Sequence, residues 1–126
     1  AGADAAGFAM PATRSAALIG LAAALASGDL ALDPGVDRAG ALARLRALPG
    51  IGPWTAAYVG MRALRDPDAF LATDLGVRHA LDRLGADGRP VAAERLSERW
   101  RPYRTSAVAH LWASLAAPAR VEEAAA

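Results

Sequence analysis

Few side chains in this sequence could do chemistry, and they fall into four groups. Asp74 stands between Thr73 and Leu75. At the start of a helix, a carboxylate faces the positive end of the helix dipole. It could cap that helix or, beside a pocket, stabilise a sugar cation or orient a water. Leu48-Pro49-Gly50-Ile51-Gly52 is the second group. Two glycines around a short apolar residue permit a tight turn with positive φ and leave backbone N–H groups unobstructed. A helix beginning just after them would offer its amides to a phosphate, although an ordinary helix–helix connection uses the same residue types. Third, Trp54 and Tyr58 lie four residues apart and so share one helical face, with Trp100 and Trp112 further along. Such a set reads as core or as a stacking surface for an electron-poor, cationic ring. The fourth group, His79 and His110, has no thiolate or clustered carboxylate beside it and makes a poor metal site. Both histidines read as structural.

The apolar pattern that must position these residues is helical almost everywhere, without strand alternation. It predicts an all-α fold of about six helices, over about 13–27, 37–47, 53–65, 74–84, 90–100 and 103–116. Leu18, Leu21, Ala22 and Leu25 are expected to face inward on the first helix. Leu42, Leu45 and Leu48 are expected inward on the second, and Val77, Ala80, Leu81 and Leu84 on the fourth. Val108, Leu111, Trp112 and Leu115 form the stripe of the sixth. Pro34-Gly35 marks a turn, Pro53 suits the first turn of the third helix, and Pro102 separates the fifth from the sixth. With no internal repeat, 126 residues are expected to form one helical domain. The tail from Pro118 to Ala126 is expected to be frayed or exposed.

Composition narrows the chemistry. A net charge of +1 supplies no global electrostatic argument for nucleic acid. All 14 basic residues are arginines, so no side-chain amine is present to form a Schiff base. The absence of cysteine excludes disulfides, thiolate zinc sites and thiolate-held iron–sulfur clusters. No apolar run reaches the roughly 18 residues of a membrane span. The N-terminus AGADAAGFAM, without an initiator Met or a basic n-region, reads as a cut inside a longer chain.

Taken together, these residues resemble the helix-hairpin-helix DNA glycosylases, and within them the AlkA-like DNA-3-methyladenine glycosylase II branch. The strings ALIGLAAALASGDLAL, LRALPGIGPWTAAYVGMRAL, DPDAFLATDLGVRHAL and RWRPYRTSAVAHLW occur in family order between about Arg14 and Trp112. LPGIGPWTA followed by FLATD is a specific signature. The resemblance implies a partial helix-hairpin-helix domain whose upstream helices and N-terminal mixed α/β domain lie outside this sequence. Asp74 takes the place of the family's catalytic aspartate, and Trp54, Tyr58 and Trp112 take those of its base-stacking aromatics, converging on one pocket. Gly50, Ile51, Gly52 and Thr55 take the DNA-backbone positions. The main-chain carbonyls of Arg46, Leu48 and Gly50 would hold a monovalent cation, Na+ or K+. No cofactor is required. The partner is double-stranded DNA carrying alkylated bases, and the expected protein is monomeric, bacterial and cytoplasmic, with no membrane role.

The function implied is hydrolysis of the N-glycosidic bond of alkylated purines such as 3-methyladenine in base excision repair. The competing class is a non-catalytic helix-hairpin-helix module, in which the turn binds phosphate and Asp74 only caps a helix. Asp74 together with the three aromatics separates the two, because a pure clamp needs neither. Trp54 aligns with the catalytic lysine of bifunctional relatives, so the chain is expected to leave an abasic site without cutting the strand. Borohydride treatment during turnover is expected to trap no covalent DNA adduct at any internal residue; such an adduct would overturn the monofunctional reading.

Overall fold

The computed structural model describes residues 9–116. The expectation for 118–126, and most of that for the N-terminal ten residues, falls outside them. Among the described residues the backbone forms six α-helices, one 3-10 turn and no strand. The helices are α1 (Ala12–Ser27), α2 (Arg38–Ala47), α3 (Pro53–Arg62), α4 (Leu75–Arg83), α5 (Pro90–Ser97) and α6 (Arg104–Ala116), with the 3-10 turn at Glu98–Trp100. The chain divides after Ala69 into two compact units, α1–α3 in the first and α4–α6 in the second.

In the first unit, the Asp37 carboxylate accepts the Gly40 N–H at 3.2 Å and caps α2. Pro53 opens α3, where its missing N–H costs nothing. Ala24, Leu30, Ala41, Leu45, Ala56 and Leu64 form the buried core, with Leu21, Leu42 and Leu48 packed against it. The inward face of α1 differs from expectation. Ser15 and Ala24 are buried, whereas Leu18 and Leu25 are 41% and 42% exposed and Ala22 is exposed. An Ala- and Leu-rich helix has little polar face to mark its outside, so its sequence fixes the buried stripe poorly. α3 also stops three residues early. Arg65 adopts a left-handed φ of 52°, and the Asp66 N–H turns back to the Gly60 carbonyl at 3.0 Å. Nε of Arg38 reaches the Leu64 carbonyl at 3.4 Å. No glycine announced this stop.

In the second unit, Val77, Ala80 and Leu81 are buried along α4, and Val108 and Leu111 along α6. Leu84, expected inward, is 66% exposed. It lies past the end of α4, where Gly85 (φ 82°) is left-handed and the Ala86 N–H closes on the Leu81 carbonyl at 2.9 Å. The helix predicted over 90–100 ends as α-helix at Ser97 and tightens into the 3-10 turn. Pro102 lacks the N–H that would extend it, and it forces Arg101 into an extended conformation (ψ 143°). Arg104, at the start of α6, is 8% exposed. Its guanidinium donates to Glu94 Oε1 at 3.1 Å and Ser97 Oγ at 3.4 Å, tying α6 to α5.

The two glycines between α2 and α3 turn out to have separate roles. Gly50 has φ 82°, and a Cβ there would stand 2.7 Å from the Cβ of Ala17 on α1. Gly52 has φ −85°, which any residue adopts, and a Cβ there would meet nothing within 4 Å. Gly50→Ala is therefore expected to lower unfolding stability by about 1–3 kcal/mol through strain and overpacking. Gly52→Ala should stay within about 0.5 kcal/mol, and urea denaturation of the two variants side by side checks the contrast.

Candidate functional site

The Leu48–Gly52 turn is closed by the Ile51 N–H donating to the Leu48 carbonyl at 3.2 Å. Gly52 stands at the N-cap of α3 and has no side chain to satisfy the first amides of that helix. The open space around Gly52 leaves the helix start approachable by an anion. Thr55 is half-buried and Gly50 exposed. Both line a cleft of about 710 Å3 with Thr13, Arg14, Leu18 and Trp54. Of the three carbonyls suggested for a monovalent cation, that of Leu48 already accepts the Ile51 N–H; a carbonyl oxygen has a second lone pair to give.

Trp54 and Tyr58 do share a face of α3. Their rings stack with centroids 5.1 Å apart and planes 8° from parallel. The Arg62 guanidinium carbon lies over the Tyr58 ring, 5.6 Å from its centroid. The result is a ladder of indole, phenol and guanidinium at successive helical turns, held by stacking and cation–π attraction. Trp54, at its N-terminal end, is 38% exposed. The sequence reading missed Arg62, although its spacing of four from Tyr58 carried the signal.

Asp74 is the N-cap of α4, and its Oδ2 accepts the Val77 N–H at 2.9 Å. The same oxygen accepts Nε1–H of Trp112 at 2.9 Å. Two donors, one from the backbone of α4 and one from an α6 side chain, thus hold the carboxylate in a single orientation. Trp112 is half-buried. Its hydrogen bond was not legible in the sequence, because the partners are 38 residues apart. Trp54 with Tyr58 belongs to the first unit, and Asp74 with Trp112 to the second.

His79 and His110 are both exposed, so neither is a satisfied core histidine. His110 lines an apolar cleft of about 320 Å3 with Leu84, Trp100, Ala107 and Leu111. Trp100 packs on Phe70 at 6.2 Å between centroids, with planes tilted by 52°. Asp87 and Arg89, before α5, form an exposed pair in which the Arg89 side-chain hydrogen bonds hold the Asp87 carboxyl down to about 2.

No protein-family model matches the chain. Curated proteins do. A Mycobacterium tuberculosis protein named "Probable bifunctional transcriptional activator/DNA repair enzyme AlkA" is 47% identical over 111 residues, covering 88% of this chain and 22% of that protein. The Escherichia coli "DNA-3-methyladenine glycosylase 2" is 36% identical over 103 residues, covering 82% of this chain and 35% of its own length. A Bacillus subtilis "DNA-3-methyladenine glycosylase" is 35% identical over 114 residues, covering 86% and 38% respectively. The chain thus spans between 22% and 38% of these relatives.

The doubly held carboxylate separates two kinds of substitution at 74. Asp74→Ala removes the cap and leaves the Trp112 N–H without this acceptor, so it is expected to cost about 1–3 kcal/mol of stability. Asp74→Asn keeps an acceptor oxygen and should cost less than about 1 kcal/mol. Thermal melts of both variants against the unsubstituted protein give the comparison.

Proposed function

This chain belongs to the AlkA-like DNA-3-methyladenine glycosylases, and from that premise we propose that it is the catalytic part of a monofunctional enzyme hydrolysing the N-glycosidic bond of alkylated purines. The observation that carries the reading is Asp74. Its carboxylate stands at a helix start and is oriented by two hydrogen bonds, as a group aimed at a developing cation must be.

A glycosidic bond inside a duplex is out of reach, so the nucleotide has to be extruded. The start of α3 contacts phosphate and fixes register without reading sequence, with Gly50, Ile51, Gly52 and Thr55 at the contact. A monovalent cation held by the Arg46, Leu48 and Gly50 carbonyls would add positive charge to the phosphate contact. N3- or N7-alkylated purines are cationic and stack on electron-rich rings. Trp54, Tyr58 and Trp112 are the rings offered. Arg62 already lies over Tyr58, so the exposed indole of Trp54 is the ladder's accessible surface. A cationic purine is a good leaving group and needs no general acid. Asp74 stabilises the oxocarbenium-like transition state and positions the water. No described helix is long and apolar enough to cross a membrane, and the proposed setting is the bacterial cytoplasm, with a monomer acting on double-stranded DNA.

The test is single-turnover excision from methylated duplex DNA by the full chain and its Asp74→Asn variant, with a melting curve beside it. Transition-state charge stabilisation in a desolvated site is worth ~3 kcal/mol or more, so the variant is expected to lose ~100-fold or more in rate. DNA affinity should hold, since a negative charge is removed from near the phosphates. Near-normal excision by a folded variant would instead favour the non-catalytic DNA-binding module, for which the Val77 cap bond alone accounts for Asp74.

A further inference from the structure

Gly76 is the second residue of α4, and nothing in its backbone demands glycine. It is not among the positive-φ residues, and glycine is a poor helix former. Its neighbours supply the reason. A Cβ at this position would stand 3.1 Å from Asp74 Oδ2, 3.1 Å from Trp112 Cδ1 and 3.2 Å from Trp112 Nε1. These are the atoms of the 2.9 Å hydrogen bond between the Trp112 indole and the Asp74 carboxylate. Comfortable carbon contacts lie near ~3.5–4.0 Å, so a methyl group here would press on donor and acceptor together.

We propose that Gly76 is a positioning residue for the reaction: its missing side chain is the slot through which the Trp112 indole reaches Asp74, and so it sets the direction in which the carboxylate points. The proposal rests on the reading that Asp74 faces the sugar cation. Gly76 touches neither the base nor the sugar in this scheme. It acts through Trp112, which in turn acts on Asp74. Trp112 is then a hydrogen-bond donor to the reacting carboxylate, besides any stacking by its ring.

The experiment is a double-mutant cycle of Gly76→Ala and Trp112→Phe in the full chain. Three measurements are made on each member: thermal melting, the indole N–H resonances by 15N–1H NMR, and single-turnover excision of methylated purines over a range of enzyme concentrations. The chain has three tryptophans, and the resonance lost in Trp112→Phe identifies the one that matters. Gly76→Ala is expected to move the Trp112 indole resonance and leave the other two in place. A misplacement of a few tenths of an ångström should slow the maximal excision rate roughly three- to tenfold, with half-saturating enzyme concentration unchanged. In the Trp112→Phe background, where no indole N–H remains to displace and only the Asp74 Oδ2 contact persists, the same substitution should cost less than about twofold and lower the melting temperature less than it does in the unsubstituted chain. Equal losses in both backgrounds, or an unmoved Trp112 resonance, would overturn the proposal. Failure of the catalytic reading looks different: Asp74→Asn would then excise normally, while the resonance shift and the coupling in melting temperature would still assign the slot.

Discussion

The hydrogen-bonding of one carboxylate oxygen organises the second unit. Oδ2 of Asp74 takes the Val77 amide and the Trp112 indole at the same distance, 2.9 Å. One bond starts α4, and the other ties that start to α6. Helix initiation and helix–helix packing are therefore coupled at a single atom, and a change at any of the three residues is felt by the other two. Such coupling also makes the carboxylate rigid. A capping aspartate on an open surface samples several rotamers; this one is fixed from two directions, as a pre-organised charge must be. The functional and structural readings of Asp74 thus do not compete, since the interactions that cap α4 also aim the carboxylate.

The first unit shows a similar economy around the Leu48–Gly52 turn. Gly50 supplies the left-handed residue and the close approach to Ala17 on α1, so it belongs to the architecture. Gly52 supplies neither. It leaves the start of α3 bare, where a side chain would fit without strain. A glycine that folding does not require, at an approachable helix N-terminus, is what a backbone-binding turn would keep.

Helix positions were legible because their boundaries are local chemistry. Pro53 and Asp74 mark starts, and Pro102 a stop, that hydrogen-bond arithmetic predicts. The misses are equally physical. α3 stops at Arg62 with no glycine beyond it, and the left-handed residue of the loop that follows is Arg65, so the sequence carried no stop. Leu18 and Leu25 were assigned inward because leucine usually is, but the face of an Ala-rich helix is set by what packs beside it. At the site, the Trp54–Tyr58 stack could be read from a spacing of four. The Asp74–Trp112 bond and the space kept by Gly76 could not, because they join residues distant in sequence and depend on an absent side chain.

The two groups of residues meet different demands of the proposed reaction. Recognition of a cationic base calls for polarisable ring faces, and α3 supplies them as a ladder whose far end is already occupied by the Arg62 guanidinium. The arginine places one cation over Tyr58, so attraction for a second would be strongest at the Trp54 end, away from it. Catalysis calls for a fixed negative charge and little else, because a cationic purine departs without being protonated. A chain with no lysine and no cysteine lacks amine and thiol nucleophiles, yet that does not limit the proposed chemistry. What the chemistry needs is direction: a carboxylate that does not swing away as positive charge develops. Oδ2, held by a backbone amide and an indole, provides it.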